Sequence, residues 1–324
     1  MTGLPVVLGV DSGGSGLRAA LGVPDGLRAP APVRSAEPVR TGPRGVDAAH
    51  MREQLEPMVR QLLADVGGGR LVAVAVGAAG MATLGDDLRD RLPSALAELF
   101  GVRRVALAAD AVTAYAGALG QRPGAVVAAG TGLIGIGTDL TAWRRTDGWG
   151  HLLGDCGGGA WIGRAGLEAA MRDFDGRRGG SAALRARAEE MFGRPLSGLP
   201  GQLYPRPDRT AVLAAFAPEV GRCAADGDPV AVRVLREAGG HIADTAAAAC
   251  PPDGACEVAL TGGLLKLGDV LLDPLEAQLT ERLPHARRVA AAGDPLDGAV
   301  RIAAGLAADT LKLPRDPHLL YVAE

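Results

Sequence analysis

The stretch Val6–Val23, VVLGVDSGGSGLRAALGV, leaves this chain few folds to adopt. Val6, Val7, Leu8 and Val10 form the apolar, β-branched-rich run of a buried strand; Gly13, Gly14 and Gly16 supply a tight turn, and a second apolar strand follows. The result is a glycine hairpin. Asp11 sits at the strand's end, where a carboxylate can hold a magnesium ion, and the amides of Ser12, Gly13, Gly14 and Ser15 are expected to face phosphate oxygens. The spacing is neither GxGxxG nor GxxxxGK[ST], which argues against a dinucleotide fold and a P-loop. Alone, the same letters also fit a glycine-rich hairpin with a solvated aspartate. A second copy, Ala125–Gly137 (AVVAAGTGLIGIG), tips the balance, with Thr131 offering a hydroxyl and Gly130, Thr131 and Gly132 their amides. Two such hairpins, each opening a βαβ-like half, predict an α/β protein of duplicated fold that clamps a nucleotide between its halves.

A length of 324 residues exceeds the usual single core, so two domains are expected, residues 1–120 and 121–324, the last helix packing back across the hinge. Lys and Arg number 34 against 37 Asp and Glu, and aromatic residues are 3%; this leaves neither a basic footprint nor stacking platforms for nucleic acid. No apolar run reaches spanning length and no leader precedes the first strand, so no membrane segment and a cytoplasmic setting are expected. The four cysteines, Cys156, Cys223, Cys250 and Cys256, are scattered. Cys250 and Cys256 flank a PPDGA turn and can pair or bind metal, but free thiols are the expectation.

Periodicity predicts a helix over 46–66, a strand over 71–76, a helix over 86–100, a strand over 102–107 and a helix over 111–119, with a further strand around Val39. Asp110 then lies at a strand-to-helix junction, where open α/β sheets place ligand chemistry. It is a candidate general base for phosphoryl transfer to an alcohol, and equally a helix cap. Gly148–Arg164, GWGHLLGDCGGGAWIGR, is the densest constellation. Its tryptophans, Asp155 and many glycines suit a backbone folded around a small polar ligand, or a structural turn with Trp149 and Trp161 in the core. His151 has no metal-spaced partner and reads as structural. Arg177–Pro207 reads as peripheral.

VDSGGSGLR, AADAVTAYAGAL, AAGTG, GWGHLLGDCGGGAWIGR, LTGGL and PLDGAVRIAAG, in that order, resemble the N-acetylglucosamine kinase group, related to the activator ATPases of benzoyl-CoA reductase. Both belong to the superfamily of acetate and sugar kinases, heat-shock chaperones and actin. The resemblance runs from Gly9 to Gly305 and implies two ribonuclease H-like, actin-like ATPase domains. It implies an ATP- and Mg²⁺-dependent kinase of an amino sugar such as N-acetylglucosamine or glucosamine, forming a homodimer. Asp11, Ser12, Gly13, Gly14 and Ser15 would meet the phosphates, Asp11 the magnesium, and Gly130, Thr131 and Gly132 would form the second phosphate loop. Gly262 and Gly263 would approach the adenosine. Asp110 would be the base, and Trp149, Gly150 and Asp155 would line the sugar site.

The chain departs from the family's pattern at three places. GTGS reads GTGL, so Leu133 removes a hydroxyl; GDEGS reads GDCGG, with Cys156 in place of an acid; and GPxN reads GPRG, with Gly45 in place of an asparagine. Losing polar groups from a hydrogen-bonding site changes specificity by orders of magnitude. Two other functions therefore stand beside the kinase: a non-catalytic sugar or nucleotide sensor, and an activator-type ATPase, for which the cysteine pattern of an iron–sulfur cluster is missing.

Overall fold

A computed structural model of the protein describes residues 3–14, 16–24, 31–252 and 255–323. The chain divides into two units, one of residues 1–124, 137–143 and 289–324, the other of residues 125–136 and 144–288. A boundary at residue 120 is the expectation from sequence; in the structure the C-terminal segment groups with the N-terminal unit. The reason is pairing and packing within that unit, described next.

The first unit begins with β1 (Leu4–Gly13) and β2 (Gly16–Gly22), the glycine hairpin, and continues through β3 (Val33–Arg34), β4 (Thr41–Gly42) and β5 (Gly45–Val46). Then come α1 (Ala48–Asp65), β6 (Gly69–Ala78), α2 (Met81–Leu84), α3 (Asp86–Phe100), β7 (Val105–Ala109) and α4 (Asp110–Leu119). Asp47 starts α1 by accepting the amides of Ala49 and His50, and the helix buries Met51, Leu55, Met58, Val59 and Leu62 at three- and four-residue spacing. The strand expected around Val39 is absent. That residue follows Pro38, which has no amide to give a ladder, and the short strands form on either side of it instead.

The second unit holds α5 (Gly159–Phe174) and, but for a residue or two at their ends, β8 (Gly124–Ala129), β9 (Leu133–Thr138) and β10 (Trp143–Asp147), followed by a helical run. That run comprises α6 (Ala182–Phe192), α7 (Leu199–Leu203), α8 (Arg209–Ala215), α9 (Ala217–Ala225) and α10 (Pro229–Ala249). It then has β11 (Cys256–Thr261), α11 (Asp269–Arg282) and β12 (Ala286–Val289). Its core joins Val127, Leu133, Ile162, Phe216, Val220, Leu235, Val258 and Leu275, all buried. Leu133 thus belongs to the core, which accounts for an apolar side chain where the family's pattern has a hydroxyl.

The chain closes with α12 (Pro295–Ala307) and β13 (Leu320–Ala323), both in the first unit. β13 pairs antiparallel with β7, and α12 packs on β1, β6 and α4. Helices α4 and α12 cross at backbone distance, because a methyl on Gly298 would lie 1.9 Å from the Thr113 carbonyl. The first sheet runs β13-β7-β6-β1-β2-β3, with β1 antiparallel to β2 and parallel to β6. The second runs β10-β9-β8-β11-β12. Leaving β13 aside, each sheet places its hairpin strands in the order third, second, first and then adds its next two strands beside the first, so one topology occurs twice. This is the two-domain architecture of the actin-like ATPases.

Cys250 and Cys256, expected as free thiols, are joined by a disulfide. The end of α10 and the start of β11 bring the two sulfurs together. Cys156 and Cys223 are free.

Candidate functional site

In the first unit the chemistry gathers at the ends of β1 and β7. Strand pairing in the hairpin runs on to Gly13 opposite Gly16, so Ser12 and Gly13 lie in the ladder. The turn is therefore narrower than four exposed amides. Ser12 is buried and its carbonyl accepts the Ala79 amide, Gly14 is the exposed turn residue, and Ser15 lies outside the described residues. Arg18, directly opposite Asp11 on β2, grips the aspartate: its Nε and Nη2 donate to Oδ2 at 3.0 and 2.6 Å, and its Nη1 donates to Asp294 Oδ2 at 2.8 Å. Asp294 also caps α12 through a reciprocal capping box with Asp297. Sequence reasoning missed Arg18 as the partner of Asp11 and Asp294 as the second partner of Arg18. The cross-strand position of Arg18 was readable; the contact from a residue 276 positions away was not.

Asp110 is the first residue of α4, one past the cap position held by Ala109. Its Oδ1 accepts the Ala111 amide at 2.9 Å, its carbonyl accepts the Thr113 hydroxyl, and the residue is exposed at the carboxyl end of β7. The carboxylate therefore combines a contact to the helix start with access to solvent.

In the second unit the β8–β9 turn and the start of α5 are built against each other. The Gly159 and Ala160 amides, which open α5, donate to the carbonyls of Gly130 and Thr131 at 2.8 Å each, and the Gly130 amide donates to the Gly132 carbonyl at 3.0 Å. Helix amides normally left without partners thus fix the glycine turn. The contact is so close that a methyl on Gly132 would lie 2.2 Å from Asp155 Oδ2, and one on Gly158 would lie 2.7 Å from the Gly132 carbonyl carbon. Glycine in GTGL and GDCGGG is a requirement of backbone-on-backbone packing.

Asp155 is nine-tenths buried and has a left-handed backbone, φ 55°. Its carboxylate accepts the Gly150 amide at 3.1 Å and the amide of Leu133. Burial is the largest influence on its acidity and pushes its pKa up; the Asp147 charge pushes the same way, against the two amides. Asp147, also left-handed at φ 58°, receives the amides of Asp155 at 2.6 Å on Oδ1 and of Cys156 at 3.2 Å on Oδ2. Asp147 is the residue that sequence reasoning overlooked here. It lies just ahead of the GWGHLLGD segment and acts by clamping that segment's far end. Burial, then the Asp147 charge, also pushes the Cys156 thiol up, away from the reactive thiolate.

Trp149 is 61% exposed rather than core, with the Arg145 guanidinium stacked 4.5 Å from its ring centre. Gly150, at φ 83°, turns its amide toward Asp155. Trp161 instead packs edge-on against His241. His151 shares a hydrogen bond with Thr210 at 2.9 Å, as a structural histidine would.

Beside this turn the second unit opens a cavity of about 380 Å³, lined by Gly130, Thr131, Gly159, Pro218, Gly263 and Lys266 among others. Gly262 does not line it. At φ 106° this glycine presses on β8, where a methyl would lie 2.1 Å from the Ala129 carbonyl oxygen, and Gly263 faces the space. The wall from α9, including Pro218, was invisible in the sequence because small apolar residues carry no chemical signature. The cavity is within the size range of small-molecule sites and mostly apolar, with one ammonium group at its edge.

Gly45, in the first unit, has φ 94°, and a methyl on it would lie 1.6 Å from the Leu84 carbonyl oxygen. No asparagine side chain fits there, so the loss of that amide is built into this backbone.

Several known proteins resemble the chain along most of its length. The sequence profile of the BadF/BadG/BcrA/BcrD ATPase family matches residues 8–303. An N-acetylmuramic acid/N-acetylglucosamine kinase of Clostridium acetobutylicum is 24% identical over 310 residues, covering 92% of this chain and 97% of that protein. A Chromobacterium violaceum structure provisionally described as an N-acetylglucosamine kinase superposes with a TM-score of 0.68 at 27% identity, covering 92% of this chain and 98% of that one. A glucokinase of the ROK family from Streptomyces griseus, solved with glucose and AMPPNP, superposes with a TM-score of 0.53 at 22% identity, covering 92% and 98%.

Proposed function

From the premise that this chain belongs to the BadF/BadG/BcrA/BcrD ATPase family, we propose that it is an ATP-dependent kinase acting on a hydroxyl of an amino sugar of the N-acetylglucosamine or glucosamine type. The observation that carries the reading is the β8–β9 turn of the second unit. The turn borders the 380 Å³ cavity through Gly130 and Thr131, while the buried Asp155 carboxylate packs against Gly132 and accepts the amide of Leu133 next to it. A nucleotide site and a hydroxyl-binding carboxylate therefore share a wall. Gly263 and Lys266 serve the nucleotide, and Trp149, Gly150 and Asp155 serve the sugar. The description of the Clostridium acetobutylicum relative as an N-acetylmuramic acid/N-acetylglucosamine kinase supports the same assignment.

In the reaction the acceptor hydroxyl gives its proton to Asp110, the oxygen attacks the γ-phosphorus of ATP, and ADP leaves. Alignment and charge neutralisation supply most of the acceleration. The hard carboxylate oxygens of Asp11 and Asp294, gathered by Arg18, suit Mg²⁺. That ion would neutralise phosphate charge. Both groups reside in the first unit, as does Asp110. Assembly as a homodimer belongs to this reading and is measured by light scattering. Among the described residues no helix is long and apolar enough to cross a membrane.

The test is ADP release across hexoses, amino sugars and cyclitols, with a no-acceptor control, for the parent chain and for Asp110→Asn. The expected result is acceptor-dependent turnover by the parent, lowered about 10²-fold or more in kcat by the substitution at unchanged ATP affinity. Turnover without acceptor would assign an activator-type ATPase instead. Sugar binding with no turnover would assign a sensor.

A further inference from the structure

Away from the kinase site, Cys250, Cys256 and His285 bring two sulfurs and an imidazole nitrogen within 4.8 Å of one another. We propose that, when its two cysteines are reduced, this cluster is a zinc site. Three separate elements converge on it. Cys250 caps the C-terminus of α10, Cys256 is the first residue of β11, and His285 stands in the turn between α11 and β12. It is the one group of three such ligands among the described residues.

The chemistry of the donors selects the metal. Two thiolates and one imidazole form a soft to borderline set that suits zinc far better than magnesium or calcium. Three protein ligands converge there, two buried cysteines and an exposed histidine, so a tetrahedral zinc would leave its fourth position to water. His285 Nε2 lies 3.3 Å from the Pro251 carbonyl oxygen, which can only accept; the tautomer that donates there leaves Nδ1 its lone pair for a metal. The backbone spacing agrees as well. The Cα atoms of Cys250 and Cys256 are 7.2 Å apart, beyond the usual disulfide range of roughly 4.4–6.8 Å. Two thiolates on one zinc, each about 2.3 Å from the metal, stand farther apart than two bonded sulfurs and fit the wider spacing.

The disulfide and the metal site are alternative states of the same pair. A dithiol reductant transfers two electrons to the Cys250–Cys256 bond and becomes a disulfide itself, leaving two protein thiols. Each thiol then releases its proton as its sulfur binds the ion. Zinc would tie the end of α10 to the start of β11 and to the entry of β12, holding that corner of the second unit as the disulfide does after oxidation.

The experiment uses the full chain, reduced with a phosphine, stripped with a chelator, desalted without air and titrated with Co²⁺ alone. The expected result is one cobalt per chain with thiolate-to-cobalt charge-transfer absorption, erased by one equivalent of Zn²⁺. Cys250→Ser should lower that band at saturation to about half, one thiolate being left, and weaken binding by about 10²-fold, and His285→Ala should weaken it by about 10-fold, near the range for supporting groups. Because His285 is exposed, its variant keeps the test decisive should Cys250→Ser fail to fold. Cys156→Ser should change nothing in the titration. Absence of the charge-transfer band in the reduced parent, its full intensity and affinity in Cys250→Ser, indifference to His285→Ala, or its loss in Cys156→Ser would each overturn the assignment. None of these readings depends on kinase activity.

Discussion

Replacing Asp147 by alanine removes a carboxylate that receives two amides, those of Asp155 and Cys156. Each is a hydrogen bond to a charged group, worth roughly 1.5–3 kcal/mol, so the gross loss is about 3–6 kcal/mol. Two effects oppose it. Asp147 is only half-buried, so water can reach the released amides, and removing its charge relieves the repulsion that helps raise the Asp155 pKa. A net loss of about 2–4 kcal/mol remains. In a chain of this size that is a fall of roughly 5–10 °C in the melt of the second unit. The functional loss should exceed the structural one. Asp155 would no longer be held in its left-handed conformation against Gly132, and a displacement near 1 Å at a reacting centre costs about 10²-fold. The assays are calorimetry and acceptor-dependent ADP release, with Asp147→Asn beside the alanine variant. Asparagine keeps one acceptor oxygen and should fall between the two. An Asp147→Ala protein that melts within about 1 °C of the parent and keeps its kcat/KM for the acceptor would refute the clamp.

Asp155→Asn should reveal the cost of burying a carboxylate. Because the folded pKa lies above the ordinary 3.8, the folded state binds this proton more tightly; the group's contribution to stability is complete below pH 3.8 and is lost as pH rises through the folded value. The melting temperature of the variant relative to the parent should therefore be more favourable at pH 7 than at pH 4, and a difference that does not move with pH would count against the raised pKa. Gly45→Asn, which restores the family's residue, should destabilise the first unit by at least about 3 kcal/mol through left-handed strain and the Leu84 carbonyl, as read by urea unfolding. A variant as stable as the parent would show that the loop rearranges freely.

The sequence exposed those parts of the molecule in which one chain segment carries its own instructions. The helix over 86–100 follows from Leu88, Leu92 and Leu96 on one face and from Gly101 in a left-handed C-cap, and it lies where periodicity puts it. The two glycine turns are equally local, as is the meeting of β7 and α4 at Asp110. What could not be read depends on contacts between distant segments. Asp294 reaches Arg18 across most of the chain, and Pro218 approaches Gly130 from a helix that looks peripheral in one dimension. Glycines gave a partial signal. GDCGGG announced a close approach without saying that its partner is the GTGL turn.

The return of α12 and β13 to the first unit sets an order on biosynthesis. A ribosome delivers residues 144–288 as one continuous stretch, so nearly all of the second unit is available to fold while translation continues. The first unit must wait. Until the last residues are made, β7 has an open edge where β13 will pair, and β1, β6 and α4 lack the cover of α12. An unpaired strand edge beside uncovered apolar surface invites association between nascent chains. A stop codon just after residue 288 would leave that exposure permanent, sending the product to chaperones and proteases even though every glycine turn and every acidic residue of the kinase reading except Asp294 had already been synthesised.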